Sequence, residues 1–293
     1  MAEGRIVKAL SGFYYVKSDN KLYQCRGRGV FRKQKISPLV GDFVKFDISD
    51  ENEGYIIEIE ERENQLVRPP VANINQAIIV NSAVKPDFNP RLLDRFLVLI
   101  EAKDIQPIIF ITKMDLAPAS KKGELKRYQK DYAMIGYDVE LFSAKDAMEV
   151  SKLKAYLSGK VSVIAGQSGV GKSSLLNALE PSLVLPTGEI SESLGRGKHT
   201  TRHVELLEVA DGLVGDTPGF SSLDFDEIQL EELAGYFPEI RERSADCKFR
   251  GCSHNKEPKC AVKQAVADGE IAIYRYEHFL SFYEEIQLRK PRY

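Results

Sequence analysis

“VSVIAGQSGVGKSS”, residues 161–174, decides the fold. An apolar strand runs into Gly166, Gln167, Ser168, Gly169, Val170, Gly171, Lys172, Ser173 and Ser174, and the run “KSSLLNALE” that follows has helical character. This is G-x4-G-K-S/T lying between a strand and a helix, the context that a phosphate-binding loop requires. Glycines let backbone N–H groups converge on the α- and β-phosphates, and the helix N-terminus adds its positive dipole end. Lys172 is placed to reach the β- and γ-phosphates, and Ser173 to ligate Mg²⁺.

Downstream, the strand “GLVGD” (212–216) leads into “GDTPGF” (215–220). A D-x-x-G at a strand end, following a phosphate loop, puts Asp216 near the magnesium and offers the Gly219 N–H to a γ-phosphate. Between the two motifs, “GRGKHTTRH” (195–203) supplies Thr200 and Thr201, either of which can coordinate Mg²⁺ from a loop; Thr201 is favoured.

Upstream lies “ITKMDL” (111–116), with Thr112, Lys113, Met114 and Asp115 at the end of the strand “PIIFIT”. Open α/β sheets bind ligands at such strand ends. An aspartate accepts both N1–H and the exocyclic N2–H₂ of guanine, a donor pair that adenine lacks, so Asp115 disfavours an ATPase. Lys113 can lay its stem along the base. Thr112 stands where many GTPases carry Asn, so one amide contact is expected to be missing. “SAK”, Ser143, Ala144 and Lys145, ends the next strand and can offer the Ala144 N–H to the base oxygen.

In an ordinary GTPase the guanine motifs follow the phosphate loop; here they precede it. Renumbering the strands at 76–82, 107–112, 138–143, 161–166, 203–209 and 212–216 cyclically, to begin at “VSVIAG”, restores the ordinary series. The chain is therefore expected to be a permuted, mostly parallel sheet covered on both faces. Such rewiring is tolerated because termini lie at the surface, often close together.

On either side the pattern changes. Residues 1 to about 66 read as short strands, “RIVKAL”, “FYYVKS”, “LYQCRG”, “DFVKFDI” and “YIIEIEE”, which suggests a small β-barrel, and Pro69–Pro70 marks a linker. Lys21, Arg26, Arg28, Arg32, Lys33 and Lys35 interleave with Tyr23 and Phe31, a pattern fitting either RNA or an ordinary solvated strand pair. Cys25 is expected to be an inert strand residue. After Phe220 come an acidic stretch expected to be helical, a cysteine cluster, and an amphipathic helix around “IYRYEHFLSFYEEIQL”. Cys247, Cys252, His254 and Cys260 form C-x4-C-x-H-x5-C, a donor set suited to closed, tetrahedral, structural zinc. Lys248, Arg250, Lys256, Lys259 and Lys263 surround it. His203 and His278 read as ordinary strand and helix residues.

With 293 residues, 43% hydrophobic and 29% charged, the chain can bury a sizeable core, and its net charge of −2 confines any nucleic-acid contact to local patches. Four cysteines, three of them clustered, favour metal over disulfides. No apolar run approaches a membrane span and “MAEGRIVKAL” lacks a signal peptide's apolar region, so a cytoplasmic protein with no membrane partner is expected.

Together, the rotated motifs with “GQSGVGKSS” and “DTPGFSS”, the N-terminal barrel and the C-x4-C-x-H-x5-C cluster resemble the circularly permuted bacterial GTPases called ribosome small subunit-dependent GTPase A. The resemblance covers nearly the whole chain. It implies a multidomain α/β protein: an OB-like barrel over 1–68, a permuted P-loop GTPase domain over 69–222 and a zinc-binding helical domain over 223–293. It also implies GTP hydrolysis stimulated by the small ribosomal subunit and its rRNA, late in that subunit's maturation. GTP and GDP are then the ligands, Mg²⁺ accompanies GTP, and a monomer is expected. Where many GTPases place a water-orienting Gln after D-x-x-G, this chain has Phe220. Some relatives are thought to use a later histidine, which “SSLDFDEIQL” lacks, so His199 is the substitute candidate beside Thr201. The alternative is a nucleotide-gated rRNA-binding module in which hydrolysis is incidental.

Overall fold

The protein is described from a computed structural model, which covers residues 1–29, 31, 36–67, 69–143, 146–183, 204–215 and 223–289. Five strands open the chain: β1 (Ala2–Leu10), β2 (Phe13–Ser18), β3 (Lys21–Gly27), β4 (Phe43–Asp50) and β5 (Glu53–Ile59). They pair in the order β1-β2-β3-β5-β4, and β4 returns to β1, so the sheet closes on itself and hides its edges. Ile6, Val16, Cys25, Val44, Phe46 and Ile56 fill the interior. Alternation along each strand puts them there.

Around Pro69 and Pro70 the chain forms a two-stranded ribbon, β6 (Gln65–Val67) with β7 (Pro70–Ala72), rather than a bare linker. The nucleotide-type sheet then uses β8 (Gln76–Ser82), β9 (Gln106–Thr112), β10 (Asp138–Leu141), β11 (Val161–Ala165), β12 (Val204–Val209) and β13 (Gly212–Gly215). Their order is β10-β9-β8-β11-β13-β12, parallel throughout except for β12 against β13. The phosphate-loop strand β11 is therefore central, although it is fourth of the six in sequence, as the rotated motif order requires.

β8 and β11 are buried at every position, which is why apolar residues dominate them, and the buried Gln76 and Ser162 pair with each other at 2.9 Å. Odd and even residues serve opposite faces. Ile78, Val80, Ile108 and Phe110 meet Leu153, Leu157, Leu175 and Leu179 from helices α3 (Ala147–Leu157) and α4 (Lys172–Leu179). Ile79, Ile109 and Ile111 share the opposite face with Leu93, Phe96 and Leu97 of α1 (Pro90–Glu101) and Leu125 and Tyr132 of α2 (Ala119–Met134). Asn89 caps α1 by accepting from the Leu92 N–H at 3.1 Å, with Pro90 in the first turn.

Barrel and sheet are joined by strand pairing. β1 lies antiparallel to β12, with Lys8 opposite Glu205 and Ala9 opposite Val204, and the Lys8–Glu205 pair closes at 3.2 Å. Past the sheet, the acidic stretch departs from the helical expectation. Its described part consists of turns and a 3₁₀ segment, Leu233–Tyr236, before the short helix α5 (Pro238–Ser244). Helices α6 (Ala261–Ala267) and α7 (Ile273–Gln287) follow. Phe237, Ile240, Phe279 and Phe282 form their core together with Val98 of α1, so the C-terminal helices are seated on the nucleotide-type sheet's own layer.

A buried charge network cements that contact. Arg275, 1% exposed, donates to Asp94 of α1 at 2.5 Å and to both oxygens of Glu239 at 2.7 and 3.1 Å. Asp94, fully buried, also accepts from the Tyr132 hydroxyl at 2.6 Å and lies 2.5 Å from His278 Nδ1. His278 is therefore more than a helix-surface residue. Among the described residues, no helix is long and apolar enough to cross a membrane.

Candidate nucleotide site and metal centre

At the end of β11 the chain must turn sharply beside β8. Gly166 has φ +143°, and a Cβ there would lie 2.2 Å from the Val80 carbonyl oxygen, so only glycine fits. Gly171, at φ +103°, is the residue from which α4 starts. Lys172 folds back over the loop and donates to the Gly166 and Gln167 carbonyls at 2.8 and 2.7 Å. Its ammonium has a third proton for an anion. Burial lowers the Lys172 pKa, so a phosphate brought against it would restore the stability of the charged form.

The guanine-type motif is packed directly onto this loop. Thr112 is 5% exposed, and its hydroxyl lies 3.0 Å from the Asn81 carbonyl and 2.5 Å from the Val170 carbonyl. These contacts give the Thr112 hydroxyl a role within the protein, beside the amide contact to the base that it is expected to lack. The hydroxyl's single proton ties β9 to the phosphate loop. Lys113 adopts a left-handed conformation, φ 59°, and its ammonium donates to Gly169 O at 2.7 Å and to Lys85 O. Desolvation lowers its pKa. The Met114 N–H reaches Phe142 O at 3.3 Å, joining this turn to the strand end that carries Ser143. Asp115 is exposed at the rim, and the Ser143 N–H donates to the Glu149 carboxylate.

Residues 56 and 58 apart in sequence thus meet through the side chains of Lys113 and Thr112. Ala144, Lys145, His199, Thr200, Thr201, His203, Asp216, Gly219 and Phe220 lie outside the described residues, as do Arg32, Lys33 and Lys35.

Ligand atoms of Cys247, Cys252, His254 and Cys260 all lie within 4.8 Å of one another. His254 Nδ1 is 3.6 Å from Cys247 Sγ and 3.4 Å from Cys260 Sγ, and the two sulfurs are 3.9 Å apart. Tetrahedral zinc with bonds of about 2.3 Å to sulfur and about 2.0 Å to nitrogen demands edges of roughly 3.5–3.8 Å. The residues fit the ion. Ser244 Oγ donates to Ile240 O at 2.7 Å, so at 3.0 Å it accepts from His254 Nε2–H. That fixes the tautomer, leaving the Nδ1 lone pair for a metal.

Burial pushes the Cys252 thiol up to about 12 and lowers His254, both toward neutral forms; a bound cation would convert the thiols to thiolates. Sequence reasoning overlooked Ser244, and nothing but its spatial neighbours distinguishes it from other helix serines.

Around the knuckle, Lys248, Arg250, Lys256 and Lys259 are exposed, and the Lys248 ammonium lies 5.5 Å from the Phe249 ring centroid. On the barrel, Arg26 lies over Phe13 at 4.7 Å and Lys21 over Tyr23 at 5.2 Å. Phe31, only 7% exposed, belongs to the core and is withdrawn from any base-stacking surface. Cys25 is buried, with its thiol pushed up to about 11, in keeping with an unreactive interior group.

The RsgA N-terminal domain profile matches residues 3–56 and the RsgA GTPase profile matches residues 59–226. “Small ribosomal subunit biogenesis GTPase RsgA 2” of Oceanobacillus iheyensis is 65% identical over 293 residues, and the Bacillus subtilis protein “Small ribosomal subunit biogenesis GTPase RsgA” is 60% identical over 298 residues, each spanning 100% of both chains. Two solved structures share the architecture. YloQ, described as a circularly permuted GTPase, has 55% identity and TM-score 0.87 over 100% of this chain and 97% of its own; YjeQ from Thermotoga maritima has 36% identity and TM-score 0.88 over 99% of each chain. Permuted strand order, profile matches and full-length identity agree, and the chain belongs to the RsgA GTPase family.

Proposed function

We propose that this GTPase binds the small ribosomal subunit during late maturation and that the subunit accelerates its hydrolysis of GTP. The observation carrying the nucleotide assignment is the direct bracing of the phosphate loop by Thr112 and Lys113, at 2.5 Å to Val170 O and 2.7 Å to Gly169 O. This bracing supports a guanine reader and a phosphate reader sharing one site on the carboxyl edge of a permuted sheet.

In this proposal residues 166–174 hold the phosphates, Lys172 contacts the β- and γ-phosphates, and Asp115 reads guanine with Thr112, Lys113, Met114 and the 143–145 loop around it. Ser173 and Thr201 ligate Mg²⁺ beside Asp216, Gly219 contacts the γ-phosphate, and His199 orients water. Zn²⁺ held by the knuckle is structural. The knuckle and the barrel, each with cations over aromatic rings, contact rRNA. The division into units 1–68, 69–222 and 223–293, action as a monomer and a place in the cytoplasm belong to the same proposal.

The test is GTP turnover by the purified protein with and without small ribosomal subunits. Acceleration by the subunits is expected; equal rates would refute the proposal and favour a module whose nucleotide only toggles binding.

A further inference from the structure

Helix α2, Ala119–Met134, turns only one face to the protein: Leu125 and Tyr132 are buried, and the Tyr128 ring packs on Phe88 and Tyr274. At 3.6 residues per turn, Lys126, Arg127 and Lys130 fall exposed on the opposite side, while the half-buried Lys122, Glu124 and Asp131 fall at its borders. Glu124 is occupied by Lys121 at 3.1 Å. Among the described residues, none of the four cations is in an ion pair; Arg127 lies 5.2 Å from the ring centroid of its own neighbour Tyr128.

In the middle of this face is Gly123. A Cβ there would meet nothing within 4 Å, so neither packing nor φ calls for glycine, and glycine weakens a helix relative to alanine. What a bare position permits is close approach of another backbone. Three exposed cations with Lys122 at their border, none of them in an ion pair among the described residues, match a polyanion whose phosphates can come within hydrogen-bonding range of this stretch, rather than an apolar partner.

We infer that this face of α2, centred on Gly123, Lys126 and Lys130, is a docking surface for the phosphate backbone of duplex rRNA in the small ribosomal subunit. It is a third contact, distinct from the barrel and the knuckle, and it rests on the proposal that this subunit is the partner. Contact through phosphates and shape, without base readout, is the usual mode for A-form RNA.

The experiment compares the full-length protein with K122Q/K126Q/R127Q/K130Q and, separately, with Gly123→Gln. Affinities for purified small subunits and for a short protein-free RNA duplex are measured across a salt series of about 50 to 200 mM. Losing four phosphate contacts should flatten the slope of log K against log salt by about 3, at roughly 0.7–0.9 per contact, on both probes. GTP turnover without subunits should be unchanged, because no altered residue touches the nucleotide site. Gly123→Gln should strengthen the helix by hydrogen exchange while weakening binding, a pairing that a merely structural role would not produce.

Unchanged affinity and slope in the quadruple variant would overturn the inference. An effect on subunits but none on naked duplex would overturn it in favour of an acidic ribosomal protein, and unaltered binding by Gly123→Gln would remove the close approach. Failure of the wild type to bind subunits at all would instead refute the functional proposal, leaving the duplex comparison to judge this face alone.

Discussion

Arg275→Leu removes the guanidinium from the contact between α1 and α7, and its consequence follows from burial. Arg275 is 1% exposed and Asp94 fully buried; three hydrogen bonds of 2.5 to 3.1 Å join the guanidinium to Asp94 and Glu239, and the Phe237 ring lies 4.6 Å away. The two carboxylates hold Arg275 in its charged form against desolvation. Leucine fills much of the space but leaves Asp94 with only Tyr132 and His278, and Glu239 without its fork. Breaking a buried pair from one side costs about 3–5 kcal/mol. The assay is native-state hydrogen exchange of Ile273–Gln287, where such a loss corresponds to opening favoured by roughly a hundredfold to several thousandfold, at about 1.4 kcal/mol per factor of ten. Glu270→Gln is the control, because its pair with Arg243, at 2.6 Å, is about half exposed and contributes about 0–1 kcal/mol. If Arg275→Leu speeds exchange no more than Glu270→Gln, the network is not what seats α7.

Asp115→Asn should weaken GTP relative to ATP by about tenfold to a hundredfold, the equivalent of about 1–3 kcal/mol for a mismatched polar contact; an unchanged ratio in competition binding would remove Asp115 from base recognition. Thr112→Val keeps the shape but leaves the Val170 carbonyl without its 2.5 Å donor, so affinities for GDP and GTP should fall together, by about 1–3 kcal/mol, in calorimetric titration. A selective loss of GTP would instead put Thr112 in contact with the γ-phosphate. Glu257 is held down to about 2, below 4.5, first by the Ser253 hydroxyl. A depressed carboxylate contributes stability that is complete above the unfolded value near 4.5 and lost as pH falls through about 2. The stability advantage of wild type over Glu257→Gln should therefore shrink across that window in denaturation experiments, and a constant difference would contradict the assignment.

How much of this was legible in the sequence depends on the range of the interaction. The phosphate loop, the rotated strands and the metal-type spacing are local patterns, and each was readable from consecutive residues. Gly166 shows the limit: the motif calls for glycine, but its closest constraint is the Val80 carbonyl, 86 residues earlier. The sequence showed Thr112 only as a departure from Asn; the carbonyl of Val170 that employs its hydroxyl is visible only once β9 and β11 are set in one sheet. Asp94 inside the apolar run “LLDRFLVLI” was a signal of a buried partner, yet that partner, Arg275, is 181 residues away. Phe31 was misplaced for the opposite reason: among cations it resembled a stacking residue, but the barrel closes over it.

These long-range contacts also constrain how nucleotide state can be transmitted. The rotated order makes the D-x-x-G segment lead into the C-terminal region, which suggests a lever from the γ-phosphate to the knuckle. But α7 is tied to α1 by the Arg275 network and shares a core with Val98, so the whole C-terminal region cannot swing as a rigid arm without breaking a buried ion pair. Motion is less costly near the chain's exit from the sheet, where residues 223–236 form turns and a 3₁₀ segment anchored in the core by Phe225, Ile228 and Leu233 but, among the described residues, by no buried ion pair. Hydrogen exchange with GTP and with GDP bound should therefore differ across 223–236 and coincide across Ile273–Gln287. Equal protection of both segments would remove the lever; a change centred on Ile273–Gln287 would mean that the buried network is itself the switch.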